Sequence, residues 1–188
     1  MSANAAASIN NRVSSVGSGD MLSADDFKAA FRNHPAGVAV ITADAGDGPV
    51  GLTATSVISV SASPALLVFS LSAFSSTAPA LARAETLVVH LLGADQMGLA
   101  KTFSTSGIDR FAETASWSRL VTGEPVLHDA PTWLRGRIVD RMQAGDSTVV
   151  AVQVLQASVA EPAPQAETSP LVYHNRAWHR LSELSEIS

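Results

Sequence analysis

The chain has 188 residues, and its 12 lysines and arginines against 17 aspartates and glutamates give a formal net charge of −5. This length suits one domain, and 46% hydrophobic against 15% charged residues excludes a wholly disordered chain. The acidic balance, without any basic cluster, argues against nucleic acid as a partner. No apolar run approaches the roughly 18 residues of a membrane-spanning helix, so no membrane partner is expected.

The chain contains no cysteine, which excludes disulfides, thiolate zinc ligands and a thiol nucleophile. Its N-terminal residues lack the apolar stretch of a secretory signal, so we expect a cytoplasmic protein. Residues 1–20 are small and polar without periodicity, which predicts a disordered tail. Residues 21–188 are expected to form a single domain.

The first predicted elements are a helix and a β-hairpin. Ser23, followed three residues later by Asp26, forms a capping-box pattern that predicts a helix over residues 24–33. A turn cluster at residues 44–49 then precedes residues 50–60, which are rich in β-branched side chains. This pattern predicts a hairpin.

Strands and short helices alternate in the next part of the chain. Strands are expected at residues 66–71 and 86–92, because both are short apolar runs bounded by turn-forming residues. An alanine-rich helix is expected at residues 78–84 and a further helix at residues 95–103.

The C-terminal part reads as strands. After a loop that carries Trp117, residues 133–141 and 148–155 alternate as two strands around a turn. Residues 161–169 form a Pro/Ala/Glu loop, and residues 171–181 form a closing strand segment. The strands outnumber the short helices and are joined too tightly for repeated βαβ crossovers. We therefore predict a mainly β fold, an antiparallel barrel with short helices.

Several motifs for other chemistries fail on their context. Residues 46–51 match the letters of the dinucleotide fingerprint, but strand-like sequence follows them where a helix would have to begin, so we interpret them as a hairpin turn. The five histidines lack zinc-like spacing, so no metal site is predicted. No nucleophile motif and no carboxylate pair at catalytic spacing occurs, so no catalytic side chain is predicted.

Two segments carry hydroxyl groups in positions that suit a flat, phosphorylated ligand. Residues 51–56 are small or hydroxyl-bearing, which would let a flat ring lie close to the backbone; an ordinary threonine-rich strand is the alternative. Residues 70–79 place clustered hydroxyls before a short helix, which predicts a phosphate cradle without a lysine. N-capping by Ser76 or Thr77 is the alternative, but it accounts for one hydroxyl only.

Taken in order, these and other segments resemble the flavin reductase-like family over roughly residues 27–181. The matching positions are residues 36–42, 51–56 with 59–61, 70–72 with 75–77, 89–92 with Gln96, Phe103, Arg110 with Phe111, Trp117, Gly145 with Asp146, and 170–174. The resemblance implies an FMN-binding split barrel of the antiparallel Greek-key type that forms a homodimer. It also implies hydride transfer from NADH or NADPH to FMN or FAD, with the reduced flavin supplied to a partner monooxygenase.

The resemblance also implies the flavin contacts. Those at the isoalloxazine ring are Thr53, Ala54, Thr55 and Ser56, with Leu91 near the ring. Those at the ribityl phosphate are Ser70, Ser72, Ser75, Ser76 and Thr77. Phe103 and Arg110 would close the site.

One position departs from the family pattern. Relatives commonly carry histidine after the Gly-Asp pair, whereas Ser147 follows it here. The expected residues on the nicotinamide side are therefore Ser147, His174 and Arg176. The departure keeps a second function open, a non-catalytic FMN-binding or carrier protein of the same fold. A third alternative is a barrel that binds another cofactor, such as haem or a deazaflavin.

Overall fold

A computed structural model describes residues 22–159 and 169–187, so the expected tail and most of the loop at residues 161–169 lie outside the described residues. Its α-helices are α1 (Ala24–Arg32), α2 (Ala78–Arg83) and α3 (Met97–Ser104). Its strands are β1 (Ala36–Gly37), β2 (Ala39–Asp44), β3 (Pro49–Ala54), β4 (Ile58–Ala62), β5 (Ala65–Ser72), β6 (Thr86–Leu91), β7 (Trp117–Arg119), β8 (Pro125–Leu127), β9 (Thr132–Ala144), β10 (Ser147–Val159), β11 (Leu171–His174) and β12 (Ala177–Arg180). Across these two ranges, no helix combines the length and apolarity needed to cross a bilayer.

Seven strands pair antiparallel in one sheet of order β3-β2-β6-β9-β10-β5-β4. The two edge strands, β3 and β4, are consecutive in the chain and are joined by residues 55–57 alone. Such a link spans at most about 14 Å, so the sheet must curl until its two edges approach each other. The result is a barrel with a seam at residues 55–57, which confirms the expected mainly β, antiparallel fold.

The glycine-rich segment at residues 46–51 is a hairpin turn, as its context predicts. The Asp44 carboxylate accepts hydrogen bonds from the backbone N–H groups of Gly46 at 2.7 Å and Gly48 at 3.2 Å. Both glycines have positive φ angles, 102° and 110°, which residues with a side chain rarely adopt. Asp44 then pairs with Pro49 at the start of β3, so no helix begins at the glycines.

Strand β2 is buried on both faces, and its alternate residues contribute to two cores. Ala39 and Ile41 pack inside the barrel with Phe69 of β5, in a cluster that α2 closes through Leu81. Their neighbours Val38 and Val40 pack on the outer face in a second cluster, with Leu92, Ala100, Phe103, Phe111, Leu127, Ala130 and Leu171. Helix α3 thus covers β2 and β3 from outside the barrel.

Three segments differ from the sequence-based expectation. The strand expected over residues 50–60 is interrupted at residues 55–57, where the Ser56 hydroxyl accepts from the Ser70 N–H at 2.9 Å and takes the place of a backbone partner. The loop around Trp117 contains the hairpin β7-β8. The closing segment is the hairpin β11-β12, which reverses at Asn175 and Arg176, both with positive φ.

His90 is fully buried and connects three strands. Its Nδ1 lies 3.1 Å from the Val40 carbonyl of β2, and its Nε2 accepts from the Leu127 N–H of β8 at 3.0 Å. The Leu127 bond requires a neutral Nε2, so the proton is on Nδ1. Burial lowers the pKa of His90 from 6.5 to about 4, against the opposing effect of the Val40 hydrogen bond.

Glu124 is a second buried ionisable group, and its Oε1 lies 2.7 Å from Nη2 of Arg135. Burial acts to raise the pKa of Glu124, but hydrogen bonds from Arg135, Thr122 and Thr86 outweigh it and lower the pKa to about 2. Like His90, this pair holds strands together, since it joins the segment around β8 to β9. Both groups belong to the framework of the barrel.

The His90 bonds predict a pH-dependent stability. Between pH 6.5 and about 4 the unfolded chain protonates this histidine while the folded protein keeps it neutral. The unfolded state therefore binds more protons in this window. As the pH is lowered through it, the free energy of unfolding should decrease by about 1.4 kcal/mol per pH unit. Urea unfolding of the wild type and His90→Gln across the window measures this contribution.

His90→Gln can still accept from Leu127 but has no titrating ring, so its unfolding free energy should lack this part of the slope. His128→Gln, at an exposed histidine, is the control and should keep the wild-type slope. Equal slopes in the wild type and His90→Gln would contradict the assignment.

Candidate functional site

A cavity of about 410 Å³ opens at the seam of the barrel, and we call it the seam cavity. This volume lies within the range of sites that bind small molecules. Strands β3 and β5, the loop after β5 and the C-terminal end of α3 form its walls. Its lining residues are Leu52, Thr53, Ala54, Thr55, Ser56, Ser70, Leu71, Ser72, Phe74, Ser75, Ser76, Phe103, Ser104, Ser106 and Arg110.

The lining of the seam cavity is rich in hydroxyl groups and low in formal charge. Among the described residues that line it, Arg110 is the one charged residue and none is a carboxylate. Leu52, Leu71, Phe74 and Phe103 supply apolar surface. Hydroxyl donors beside apolar walls, with one guanidinium, suit a flat ligand that carries an anionic group.

All the expected flavin contacts except Thr77 and Leu91 line this cavity. Thr77 is 4% exposed, and its hydroxyl lies 2.7 Å from that of Ser75, so it supports Ser75 from behind. It also lines a smaller neighbouring cavity of about 200 Å³ together with Ser76 and Arg110. Leu91 is 39% exposed at the end of β6, outside the seam cavity.

The hydroxyl cluster before α2 is not used for side-chain capping. Thr77 occupies the N-cap position, but its side chain makes no hydrogen bond to the first turn. The capping alternative therefore does not account for Thr77. Ser72 accepts from the Phe74 N–H at 3.3 Å, which shapes the loop that leads to Ser75 and Ser76.

Arg110 fixes the loop that borders the cavity. Its Nε and Nη2 donate to the Thr105 carbonyl at 3.1 and 2.8 Å, and its Nη1 donates to the Gly51 carbonyl at 3.0 Å. Phe103 is 2% exposed and packs edge-on against Phe111 at a centroid distance of 5.3 Å. Phe103 therefore forms a fixed wall, and Arg110 ties that wall's loop to β3.

Sequence reasoning missed several lining residues. They are Leu52, Leu71, Phe74, Ser104 and Ser106. Leu52 and Leu71 lie within the two motif segments and resemble ordinary strand residues. Ser104 ends α3 and Ser106 lies in the glycine-bearing loop that follows, and their hydroxyls were the available signal. Only the packing of α3 against β3 brings that loop to the cavity.

A larger cavity of about 720 Å³ lies beside the first, and we call it the α1 cavity. Helix α1, the seam and the β11-β12 turn surround it, and it shares Thr55 and Ser56 with the seam cavity. His174 and Arg176, expected on the nicotinamide side, line it. Ser147 lines neither cavity: it begins β10, where it pairs with Ser72.

Comparison with known proteins identifies the family. The sequence model described as "Flavin reductase like domain" matches residues 31–182. The chain belongs to this family. The resemblance seen in the sequence is thereby confirmed, and the barrel is the fold of the flavin reductase-like proteins.

Individual relatives agree with the family assignment. An NADH:FMN oxidoreductase of Rhodococcus qingshengii is 44% identical over 165 residues, which cover 88% of this chain and 85% of that protein. The reductase component of a 4-nitrophenol 4-monooxygenase/4-nitrocatechol 2-monooxygenase from Rhodococcus opacus is 32% identical over 141 residues. These residues cover 73% of this chain and 75% of that protein. The crystal structure of a flavin reductase domain protein from Arthrobacter sp. FB24 superposes with a TM-score of 0.78 at 37% identity. The superposition covers 86% of this chain and 98% of that one.

Gly51 and Phe103 together predict how the cavity wall responds to substitution. A Cβ atom at Gly51 would lie 2.6 Å from Cε1 of Phe103 and 3.1 Å from the Ile41 carbonyl oxygen. Gly51→Ala should therefore lower the free energy of unfolding by about 1–3 kcal/mol, the usual effect of overpacking, and weaken flavin binding. Urea unfolding and flavin fluorescence titration measure the two effects.

Gly98→Ala is the matched control, because a Cβ atom there meets nothing within 4 Å and the residue lies in α3. This variant should be more stable than the wild type by about 0.5–1 kcal/mol. Equal stability and equal flavin affinity in the two variants would show that the position of Phe103 does not depend on Gly51.

Proposed function

We propose that the protein is an NADH:flavin oxidoreductase, which transfers a hydride from NADH to FMN or FAD. The observation that carries the proposal is the seam cavity, whose hydroxyls, apolar walls and one guanidinium suit a phosphorylated flavin. Curated relatives named NADH:FMN oxidoreductase support the activity. The proposal assigns both cavities to one domain over residues 21–188.

The cavity divides into two parts in this proposal. Residues 53–56, at the end of β3 and in the seam, contact the isoalloxazine ring. Their small side chains expose backbone N–H groups to that ring. Ser70, Ser72, Ser75 and Ser76 bind the ribityl phosphate through neutral hydroxyls. Arg110 holds the loop against β3 and faces the same cavity.

The reaction needs little from protein acids or bases. When bound, the flavin supplies the hydride-accepting chemistry, and the chain sets distance, orientation and electrostatics. The described residues that line the seam cavity include no carboxylate and no histidine, which agrees with that division. Thr55 and Ser56, shared by the two cavities, position the flavin where a nicotinamide in the α1 cavity can reach it.

The reduced flavin serves a partner monooxygenase in this proposal, and the reductase is cytoplasmic. A relative that is the reductase component of a monooxygenase supports the partnership. A cavity with one cation and no lysine suits a flavin held with moderate affinity, since charge-assisted contacts are the strong ones. Moderate affinity would allow the reduced flavin to leave for the second enzyme.

The proposal includes a homodimer. Strands β4, β9 and β10 carry large apolar side chains that are exposed in the single chain, namely Ile58, Val60, Val139, Met142, Leu155 and Val159. These strands lie close together in the sheet order β9-β10-β5-β4. A concentration of exposed apolar side chains of this kind is typical of an interface.

FMN-dependent NADH oxidation tests both the activity and the phosphate contacts. The wild type should consume NADH only when flavin is added; fluorescence quenching of FMN without NADH consumption would instead indicate the carrier function. The double variant Ser72→Ala/Ser76→Ala should raise the KM for FMN about a hundredfold or more, because two hydrogen bonds to a charged group are lost, each worth about 1.5–3 kcal/mol.

Riboflavin, which lacks the phosphate, provides the matched control for that variant. Its KM should be the same in the wild type and the double variant. An equal loss of affinity for FMN and riboflavin would contradict the assignment of these serines to the phosphate.

Sedimentation velocity tests the homodimer. The wild type should sediment as a dimer, and Met142→Lys should shift it toward the monomer, because a buried unpaired charge disfavours association. Val121→Lys, at a fully exposed valine in the β7-β8 turn, is the control and should remain dimeric. A monomeric wild type would overturn this part of the proposal.

A further inference from the structure

The segment that carries the hydroxyl cluster before α2 is held at both of its ends by one hairpin. Residues 73–84 comprise the loop after β5, helix α2 and the residue that follows it. At the start of this segment, the Ala73 N–H donates to the Asp146 carbonyl in the β9-β10 turn at 2.9 Å. At its end, Nη2 of Arg141 on β9 donates to the Ala84 carbonyl at 2.6 Å. The serines of the loop therefore lie between two fixed points.

Arg141 binds the end of a helix that lacks partners of its own. The carbonyls at the C-terminal end of a helix have no N–H group within the helix to bind, and arginine side chains commonly replace it. Nη2 of Arg141 lies 2.6 Å from the Ala84 carbonyl and 3.5 Å from that of Leu81. The ion pairs found among the described residues do not include Arg141, so its guanidinium serves the carbonyls instead of a carboxylate.

The other supports of α2 leave its orientation open. Leu81 packs into the barrel core and is 2% exposed, but apolar packing is not directional. Arg83 forms an ion pair with Asp47 of the β2-β3 turn, yet their side chains are 54% and 77% exposed, and such exposed pairs contribute little. A charged hydrogen bond with a preferred direction is therefore what fixes the helix end, and Arg141 supplies it.

The position of α2 is passed to the hydroxyls through short backbone contacts. The Ala78 N–H donates to the Ser75 carbonyl at 3.0 Å, and the Ser75 N–H donates to the Ser72 carbonyl at 3.0 Å. The Ser75 and Thr77 hydroxyls lie 2.7 Å apart. A shift of α2 would therefore move the hydroxyls of Ser75 and Ser76 relative to the rest of the seam cavity.

We infer that Arg141 is a positioning residue for flavin binding, which holds the C-terminal end of α2 and thereby sets the Ser75 and Ser76 hydroxyls at the flavin phosphate. This inference rests on the proposed function, which assigns these serines to the phosphate. Arg141 lines neither the seam cavity nor the α1 cavity, so it acts through α2 and not by contact with the ligand. A hydrogen bond weakens steeply outside a narrow range of distance and angle, so a small displacement of the loop suffices.

Fluorescence titration with FMN and with riboflavin tests the inference without turnover. The wild type should bind FMN more tightly than riboflavin. Arg141→Gln should reduce that preference about tenfold, as expected for the loss of one hydrogen bond to a charged group, and should leave the affinity for riboflavin unchanged. Arg141→Lys keeps a charged donor and should lose less of the preference. A merely structural role would reduce the folded fraction and change the titrations with both flavins alike.

Arg137→Gln is the matched control, because Arg137 is an exposed arginine of the same strand whose side chain donates to Gln153 at 3.3 Å and not to α2. Its preference for FMN should equal that of the wild type. Hydrogen exchange supplies a second measurement: the Leu81 and Ala84 amides, which bond within α2, should exchange faster in Arg141→Gln but not in Arg137→Gln. Circular dichroism verifies that the variants fold.

An unchanged preference for FMN in Arg141→Gln, or an equal loss of affinity for both flavins, would overturn the inference. If the wild type in that case prefers FMN to riboflavin and reduces it with NADH, the proposed function stands and only the role of Arg141 is wrong. A wild type that binds the two flavins equally would overturn the inference together with the assignment of the serines to the phosphate.

Discussion

The barrel closes through residues 55–57, and the position of both cavities depends on that short connection. The sheet begins with β3 and ends with β4, so the link must bring its two edges together. At the seam the ladder is interrupted, and the Ser56 side chain bonds to the Ser70 backbone on β5 in place of a neighbouring strand. Backbone and small side chains that a continuous strand would cover are thereby left accessible to a ligand.

The framework around the seam is rigid for identifiable reasons. His90 joins β6 to β2 and β8 in the core, and Glu124 pairs with Arg135 beneath the β7-β8 hairpin. On the other side, Thr53 donates to the Ala100 carbonyl at 2.7 Å and ties β3 to α3. The wall residue Phe103 can lie against β3 because Gly51 has no side chain. A site fixed in this way presents its hydroxyls without a large loss of conformational freedom on binding.

The sequence predicted the local elements well, because they rest on short-range signals. The Ser23 cap, whose hydroxyl accepts from the Asp26 N–H at 3.1 Å, and the hairpin turn at Asp44 both follow from neighbouring residues. The seam break could not be predicted, since residues 55–57 are as strand-like as their neighbours and only barrel closure separates them. The hairpin β7-β8 was missed because three-residue strands leave almost no periodicity.

The site residues also separate into those that local sequence predicts and those that only the fold brings together. Hydroxyl-rich segments on β3 and after β5 were visible in the sequence, and the barrel brings them to one cavity. Leu91 was expected at the flavin ring and Ser147 on the nicotinamide side, but the described structure places Leu91 outside the seam cavity and Ser147 outside both cavities. The cations of α1 gave no signal in the sequence. Lys28 and Arg32 resemble solvated helix residues until the β11-β12 turn adds Arg176 from the other end of the chain.

The two cavities differ in the charge that they offer to a ligand. The seam cavity has hydroxyls and a single guanidinium, whereas the α1 cavity has three cations. Hydroxyl contacts bind by short-range geometry, while a group of cations attracts an anion over about a Debye length, roughly 8–10 Å. An anionic ligand is therefore attracted to the α1 cavity from a distance, whereas the seam cavity recognises a ligand only at contact.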